Sequence, residues 1–357
     1  MQVLGLDFGT TSFAACAYDV KAGVTNFVSR PHACRLAAGE RREFELGQLR
    51  LDLKQFIEVL DEVWDLSKVK ALSITGNMHS FYIRLEDEPI TNIITWQDER
   101  ALEPYQHGQS YVEFINKNYP GHFAKYQQSV GPGYPVTTLL HLLDKEPYFK
   151  QNGFKGCSLN FAPNFILQEL LGGTSGGAKT FMVDHTIAHS SGLYDLVRQD
   201  WNMELIHALG YGDLTFPEID QSGKFIGRVG SHVPELAGLP VFLGMGDNQA
   251  SVLGTVAGGS SNHGEINHEG AIVMNMGTSG QVSAIVKDPG ERSPLLDIRP
   301  FMDGSMLLVG ASLAAGKVME TMKDFIQFGA RSVCGVEIDN DAAYRVLGES
   351  ILAKSPL

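Results

Sequence analysis

Strand patterns open the chain, over residues 2–8, 13–18 and 24–28. A charged segment from Gly39 to Glu45 breaks them off. The period then changes. Leu53, Phe56, Ile57, Leu60, Val63 and Trp64 recur at helical spacing, so residues 51–66 are predicted to form an amphipathic helix. Residues 71–75 and 81–85 read as strands flanking Gly76-Asn77-Met78-His79-Ser80, and a short run at 92–95 leads into Trp96-Gln97-Asp98-Glu99-Arg100. Helices are predicted over 136–144, 161–171 and Trp201 to Leu209. Val241 to Leu243 reads as a buried strand feeding Gly244-Met245-Gly246-Asp247-Asn248-Gln249-Ala250, where a helix should start. Gly258 to Gly270, rich in Gly, Ser, Asn and His, reads as a flexible loop. Further on come a strand at 305–309, a long helix from about Ala311 and a last helix near 341–353. Strands mixed with helices throughout mean an α/β fold. A boundary near residue 245 divides the chain into 1–245 and a smaller part, 246–357.

One feature repeats. Leu6-Asp7-Phe8-Gly9-Thr10-Thr11-Ser12 and Met276-Gly277-Thr278-Ser279-Gly280 each join two strand-like runs, Val3 to Phe8 with Phe13 to Tyr18, and Ala271 to Met276 with Gln281 to Val286. Each reads as a hairpin tip with glycine at the bend. Such a tip turns successive N–H groups into a concavity suited to phosphate oxygens, and its hydroxyls add donors. Gly-Thr turns are common in hairpins, and one alone says little. Two, the first with Asp7 just ahead of its glycine, point to two related halves facing one polyphosphate.

The carboxylates refine this reading. Asp7 before the first turn is placed to hold Mg²⁺ through water, although Asp before Gly also simply starts turns. Asp247, between a buried strand and a helix, suits a general base in phosphoryl transfer and equally a helix N-cap. Met78, His79, Trp96 and Asp98 offer polar partners and an apolar wall for a polyol.

Three other motifs carry less. Gly172 to Thr180 nearly makes a phosphate-binding P-loop, but Ala178 separates the last glycine from Lys179 and a helix precedes it. His185 and His189 have the i, i+4 spacing of a zinc helix but lack the Glu after the first His. His263 and His268 fall in the predicted flexible loop.

Composition narrows the class. Hydrophobic residues make up 43% and charged residues 19%, as in folded globular proteins. With 28 basic against 41 acidic side chains the net charge is −13, which argues against nucleic acid or an anionic membrane as partner but not against ATP. No stretch approaches the roughly 20 apolar residues of a membrane span. Cys16, Cys34, Cys157 and Cys334 form no C-x-x-C pair, which favours reduced thiols. The first strand starts without a basic lead or a cleavage site, so no secretory signal and a cytoplasmic location are expected.

Taken in order, these motifs resemble the FGGY family of carbohydrate kinases, within the actin/Hsp70/sugar-kinase superfamily. Leu6 to Ser12 resembles the first phosphate motif, Gly76 to Ser80 the G-Q-M-H-G substrate motif, and Thr95 to Arg100 the T-W-Q-D-G-R segment. Asp184 to Asp195 resembles the D-x-x-x-A-S-x-x-G-L-x-D stretch, with Trp201-Asn202 following. Gly246 to Ala250 resembles the catalytic G-D-x-x-A motif, Met276 to Gly280 the second phosphate motif and Gly310 to Gly316 the connecting motif.

The resemblance implies an actin-like ATPase (ribonuclease H-like) fold, two domains closing on a cleft. Residues 1–245 would hold the sugar and 246–357 part of the nucleotide domain. It implies ATP and Mg²⁺ as cofactors, Asp247 as general base and Asp7 as ligand to a Mg²⁺-bound water. Gly9, Thr10, Thr11, Ser12, Gly277, Thr278, Ser279 and Gly310 would contact ATP phosphates. Met78, His79, Asp98 and Asp247 would face the sugar. The implied reaction phosphorylates the terminal hydroxyl of a ketose. T-W-Q-D, Val130 to Thr138 and Gly246 to Val252 point first to sedoheptulose and then to xylulose or another pentulose. A sugar- or nucleotide-binding fragment without turnover is the alternative. A homodimer is one option for the assembly, which the sequence leaves open.

Several positions depart from the pattern. Asn77, Ser80 and Glu99 replace the usual Gln, Gly and Gly, and Lys317 follows the connecting motif. No G-G-rich adenosine motif follows residue 317, so the second domain is expected to be incomplete.

Overall fold

Leu4, Leu6 and Phe8 alternate along the strand Gln2–Phe8 and bury one face of it, which puts Asp7 on the other. That strand lies inside a six-stranded sheet of the computed structural model. The structure describes residues 2–19, 21–86, 88–122, 129–172, 181–259, 270–276, 280–290, 295–312 and 316–352. The sheet runs Phe225–Arg228, Pro240–Phe242, Val69–Gly76, Gln2–Phe8, Ser12–Asp19, Gly23–Pro31. Val69–Gly76 runs parallel to both Gln2–Phe8 and Pro240–Phe242, while Ser12–Asp19 and Gly23–Pro31 continue antiparallel on the other side. The carboxyl ends of the three parallel strands therefore share one edge.

The helix Leu46–Val63 packs Leu49, Leu53, Phe56, Ile57 and Leu60 into the same core as Leu4, Leu6 and Phe8. Burying each such side chain contributes about 1.5–3 kcal/mol. The helix starts five residues before the predicted position because Glu45 caps it, accepting from the N–H groups of Gly47 and Gln48. Pro135–Lys145 and Ala162–Leu171 match their predicted spans closely. A second core, holding Phe81, Leu139, Phe161 and Tyr211, lies around the sheet Cys157–Phe161, Phe81–Leu85, Ile93–Ile94, Arg41–Phe44, Arg35–Ala38.

Several expectations are corrected. The charged segment at 39–45 contains a strand, Arg41–Phe44, whose partners are Arg35–Ala38 and Ile93–Ile94. The helix predicted over Trp201 to Leu209 is only Met203–Ala208, because Asp200–Trp201 pairs with Tyr194–Asp195 and Asn202 caps the helix. The strand predicted at 305–309 runs on as Met306–Ser312, since Ala311 pairs with Gln281, and the helix begins only at Gly316. The helix Asp247–Gly259 reaches into the predicted loop, and 260–269 lie outside the described residues.

The last third builds an antiparallel sheet in the order Ile272–Met276, Gly280–Val286, Met306–Ser312, Asp297–Pro300. The second hairpin is thus present, with Met276 opposite Gly280. Its tip, Gly277, Thr278 and Ser279, lies outside the described residues.

Candidate active site

Three chain segments converge at the carboxyl edge of the parallel strands. Asn77 donates from its backbone N–H (3.0 Å) and from Nδ2 (2.7 Å) to the Phe8 carbonyl. Thr75 Oγ1 donates to the Met245 carbonyl at 2.6 Å, and Gly76 bridges Gly246. Glycine is required by proximity here: a Cβ on Gly244 would lie 1.8 Å from the Ile74 carbonyl oxygen, and one on Gly246 2.7 Å from Met78 Cγ. In open α/β sheets, the carboxyl edge of parallel strands is where ligands bind.

The first turn is tied down on several sides. Phe8 pairs with Phe13, and Gly9 N–H donates to the Ser12 carbonyl at 3.0 Å, so Gly9, Thr10, Thr11 and Ser12 form the tip. Thr10 Oγ1 donates to Asn77 Oδ1 at 2.8 Å and accepts from Trp96 Nε1–H at 2.9 Å. Trp96 therefore links this turn to the T-W-Q-D segment, a role its local sequence does not reveal. Gly9 has no positive φ; its value is the space beside Ser12 O, 3.1 Å from where a Cβ would sit.

Asp7 and Asp247 come together at this edge. Asp7 Oδ1 is buried without a hydrogen-bond partner. Burial, and then the negative charge of Asp247, push its pKa up to about 7. Asp247 opens the helix Asp247–Gly259, and its Oδ1 accepts from Asn248 N–H at 2.8 Å. Burial raises its pKa to about 6, while that hydrogen bond and the positive charge of Arg299 pull the other way. An oxygen donor left unpaired beside a second carboxylate suits a hard cation such as Mg²⁺.

A cavity of about 200 Å³ is lined by Met78, His79, Tyr134, His189, Asn202 and Arg299 among others. His79 sits at φ 64°, an uncommon conformation for a residue with a side chain. It is held there by its N–H donating to Ser190 Oγ at 2.9 Å and by Nδ1–H donating to the Ser190 carbonyl at 2.6 Å. Its Nε2 is then an acceptor. Burial and the charge of Arg299 lower its pKa to about 3, so the ring is neutral. Tyr134 packs against it with ring centroids 4.3 Å apart.

Asp98 is placed otherwise than expected. Its carboxylate is fully buried and accepts from Arg42 N–H at 2.8 Å and from Arg100 Nε at 2.7 Å and Nη2 at 2.9 Å. It locks the strand Arg41–Phe44 to the T-W-Q-D segment and is not among the residues lining the cavity described above. Gly310 lies inside the strand Met306–Ser312, opposite Val282, two residues short of the strand's end.

Two contributors were given no role in the sequence reading. Arg299 comes from the last third yet is buried at the cavity, donating to Asn248 Oδ1 and Asp297 Oδ2, both at 3.3 Å. An Arg two residues after an Asp in the short strand Asp297–Pro300 was the available signal. Asp184 caps the helix His185–His189 and accepts from Thr186 Oγ1 at 2.9 Å, while Thr186 Oγ1 accepts from Gly246 N–H at 2.7 Å. This chain of bonds positions the segment carrying Asp247. The paired histidines go separate ways: His185 Nδ1 bonds Tyr194 OH at 2.8 Å, and His189 lines the cavity. Of the P-loop look-alike, 173–180 lie outside the described residues.

A sequence model described as the FGGY family of carbohydrate kinases, N-terminal domain, matches residues 2–254. The chain belongs to the FGGY family of carbohydrate kinases. A curated FGGY relative, the sedoheptulokinase of Mus musculus, is 24% identical over 96% of this chain and 72% of its own length. The crystal structure of xylulose kinase from Rhodospirillum rubrum superposes with a TM-score of 0.77 at 18% identity, covering all of this chain and 67% of that one. Gluconate kinase from Lactobacillus acidophilus gives 0.75 at 23% identity, over 99% of this chain and 66% of that one. The fold is therefore the actin-like ATPase fold of FGGY kinases, and the chain spans about two thirds of those solved proteins.

Proposed function

We propose that this FGGY chain transfers the γ-phosphoryl group of ATP to the terminal hydroxyl of a ketose, sedoheptulose first and xylulose or another pentulose next. The coupling of Asp7 with Asp247 at the carboxyl edge of the parallel strands carries the reading. The sedoheptulokinase and xylulose kinase names among its relatives support the choice of sugar. Residues 1–245 would hold the sugar and the first phosphate turn, and residues from 246 onward most of the nucleotide. Free thiols at all four cysteines suit a reducing compartment such as the cytosol, and no described helix is long and apolar enough to cross a membrane.

In this mechanism Asp247 is ionised at neutral pH and takes the proton of the sugar hydroxyl as its oxygen bonds to the γ-phosphorus and ADP departs. Asp7 would hold Mg²⁺ through water, and the ion offsets phosphate charge when bound. The turn Gly9–Ser12 would position the phosphates through the N–H groups of Thr10 and Thr11 and the hydroxyls of Thr11 and Ser12, since Gly9 N–H and the Thr10 hydroxyl already donate to the Ser12 carbonyl and Asn77 Oδ1. Neutral His79, accepting at Nε2, and Met78 orient the sugar. The glycine contacts and the Asp184–Thr186 chain keep Asp247 in place, since phosphoryl transfer depends chiefly on positioning.

The test is ADP release by the purified chain with Mg-ATP across sedoheptulose, xylulose, ribulose, glycerol and gluconate. Turnover on a ketose that disappears with Asp247→Asn supports the proposal. Sugar binding without turnover on any of them would replace it with a binding protein. Absence of both sugar and nucleotide binding would overturn it.

A further inference from the structure

Behind the first turn lies a cluster that the proposed reaction does not use. His32 and Cys34 follow the strand Gly23–Pro31, and Asp52 reaches them from the helix Leu46–Val63. One ligand atom from each lies within 4.8 Å of the others, and all three residues are buried. We propose that His32, Cys34 and Asp52 bind one borderline-soft divalent cation, Zn²⁺ in type, and that the ion braces the Gly9–Ser12 turn.

Thiolate, imidazole and carboxylate together are a Zn²⁺ donor set, whereas Mg²⁺ takes oxygen alone. Cys34 Sγ and His32 Nδ1 are 3.2 Å apart. Tetrahedral Zn²⁺ with ordinary bond lengths sets such a pair roughly 3.5 Å apart, so the side chains need give only a few tenths of an ångström.

The surroundings also match a metal's outer shell. His32 Nε2–H donates to the Gly9 carbonyl at 3.1 Å, which leaves Nδ1 unprotonated and aimed at the cluster. Asp52 Oδ2 accepts from Ala33 N–H at 2.8 Å and Oδ1 from Gln48 Nε2 at 3.0 Å, and each oxygen keeps a lone pair. The rings of Phe8, Phe13 and Phe44 wall His32 on its other sides. On binding, the S–H bond of Cys34 gives way to a sulfur–metal bond and its proton leaves to solvent. The metal would then sit one imidazole away from the backbone of Gly9.

The test is a Cd²⁺ titration of the full chain, followed by thiolate-to-metal charge-transfer absorption in the near ultraviolet. The expected result is a band saturating at one equivalent per chain. It should persist when Cys16, Cys157 and Cys334 are all changed to Ser and vanish in Cys34→Ser. Asp52→Asn should weaken the apparent affinity at least tenfold. No band in the unmodified chain, or one that survives Cys34→Ser, overturns the proposal. Should Cys34→Ser fail to fold, the triple variant decides, because loss of the band there overturns it equally. Zn²⁺ should also raise the thermal midpoint of the unmodified chain and leave that of His32→Gln unmoved.

Discussion

Two hairpins of the same design meet different fates in this molecule. The first, Gln2–Phe8 with Ser12–Asp19, is enclosed: parallel strands flank one side, Gly23–Pro31 the other, and helices cover the apolar face. The second, Ile272–Met276 with Gly280–Val286, packs a small core of Val252, Val273, Ile285, Phe301, Leu307 and Val309. Among the described residues its outer strand has no further partner, and Ile272 and Met274 are 72% and 66% exposed. On the helix Gly316–Gly329, Phe325 and Phe328 are 74% and 68% exposed. One motif can thus seed two sheets, but what packs around each decides how much apolar surface is removed from water. The two regions still share the site, because Gly246 N–H donates to Thr186 Oγ1 and Arg299 lines the same cavity as His79.

The sharpest way to break this comparison is at the junction. Asp247→Asn should lower ketose-dependent ADP release by about 10²–10⁴-fold while leaving sugar binding in place. Loss of binding as well would mean that Asp247 holds the two regions together rather than serving the reaction.

Next comes core packing. Leu60 and Leu307 are both fully buried. Leu60→Ala should cost about 4–5 kcal/mol of unfolding free energy and Leu307→Ala about 2–3, because a small cluster collapses more readily around a cavity. Equal costs in chemical denaturation would show the second region to be as tightly packed as the first.

Asp7 gives a pH test of the first region's buried carboxylate and its coupling to Asp247. Its folded-state pKa of about 7 lies above the ordinary carboxylate range, so the folded chain binds the proton more tightly than the unfolded one. Its contribution to stability must fall as pH rises from about 4 to 7, by at most about 4 kcal/mol. Thermal midpoints of Asp7→Asn should match those of the unmodified chain near pH 3 and exceed them at pH 8. Mg²⁺ should narrow the gap at pH 8. A constant difference across this range would remove the buried-carboxylate account.

The smallest effect belongs to the exposed face. Phe325→Ser with Phe328→Ser should shift stability by no more than about 0.5 kcal/mol each and lower the binding of a hydrophobic dye. A large destabilisation would mean that these rings are covered in solution.

The sequence by itself determined the strands that carry the glycines, the helices with a clear apolar stripe, and the family, because short motifs at the ends of apolar runs are local features. It also marked Asp7, His79 and Asp247, whose positions beside turns are readable from neighbours in the chain. Tertiary structure alone decided the rest. Asp98 looks like a ligand in sequence, but Arg100 and the Arg42 N–H claim both of its oxygens. Arg299 looks like an isolated charge, but folding brings it from far along the chain to the cavity that holds His79. The strand Arg41–Phe44 hides in a charged stretch because its order comes from partners on both sides, Arg35–Ala38 and Ile93–Ile94. Pairing and burial depend on residues distant in the chain, so a local pattern can nominate a functional group while only the packed molecule shows what that group touches.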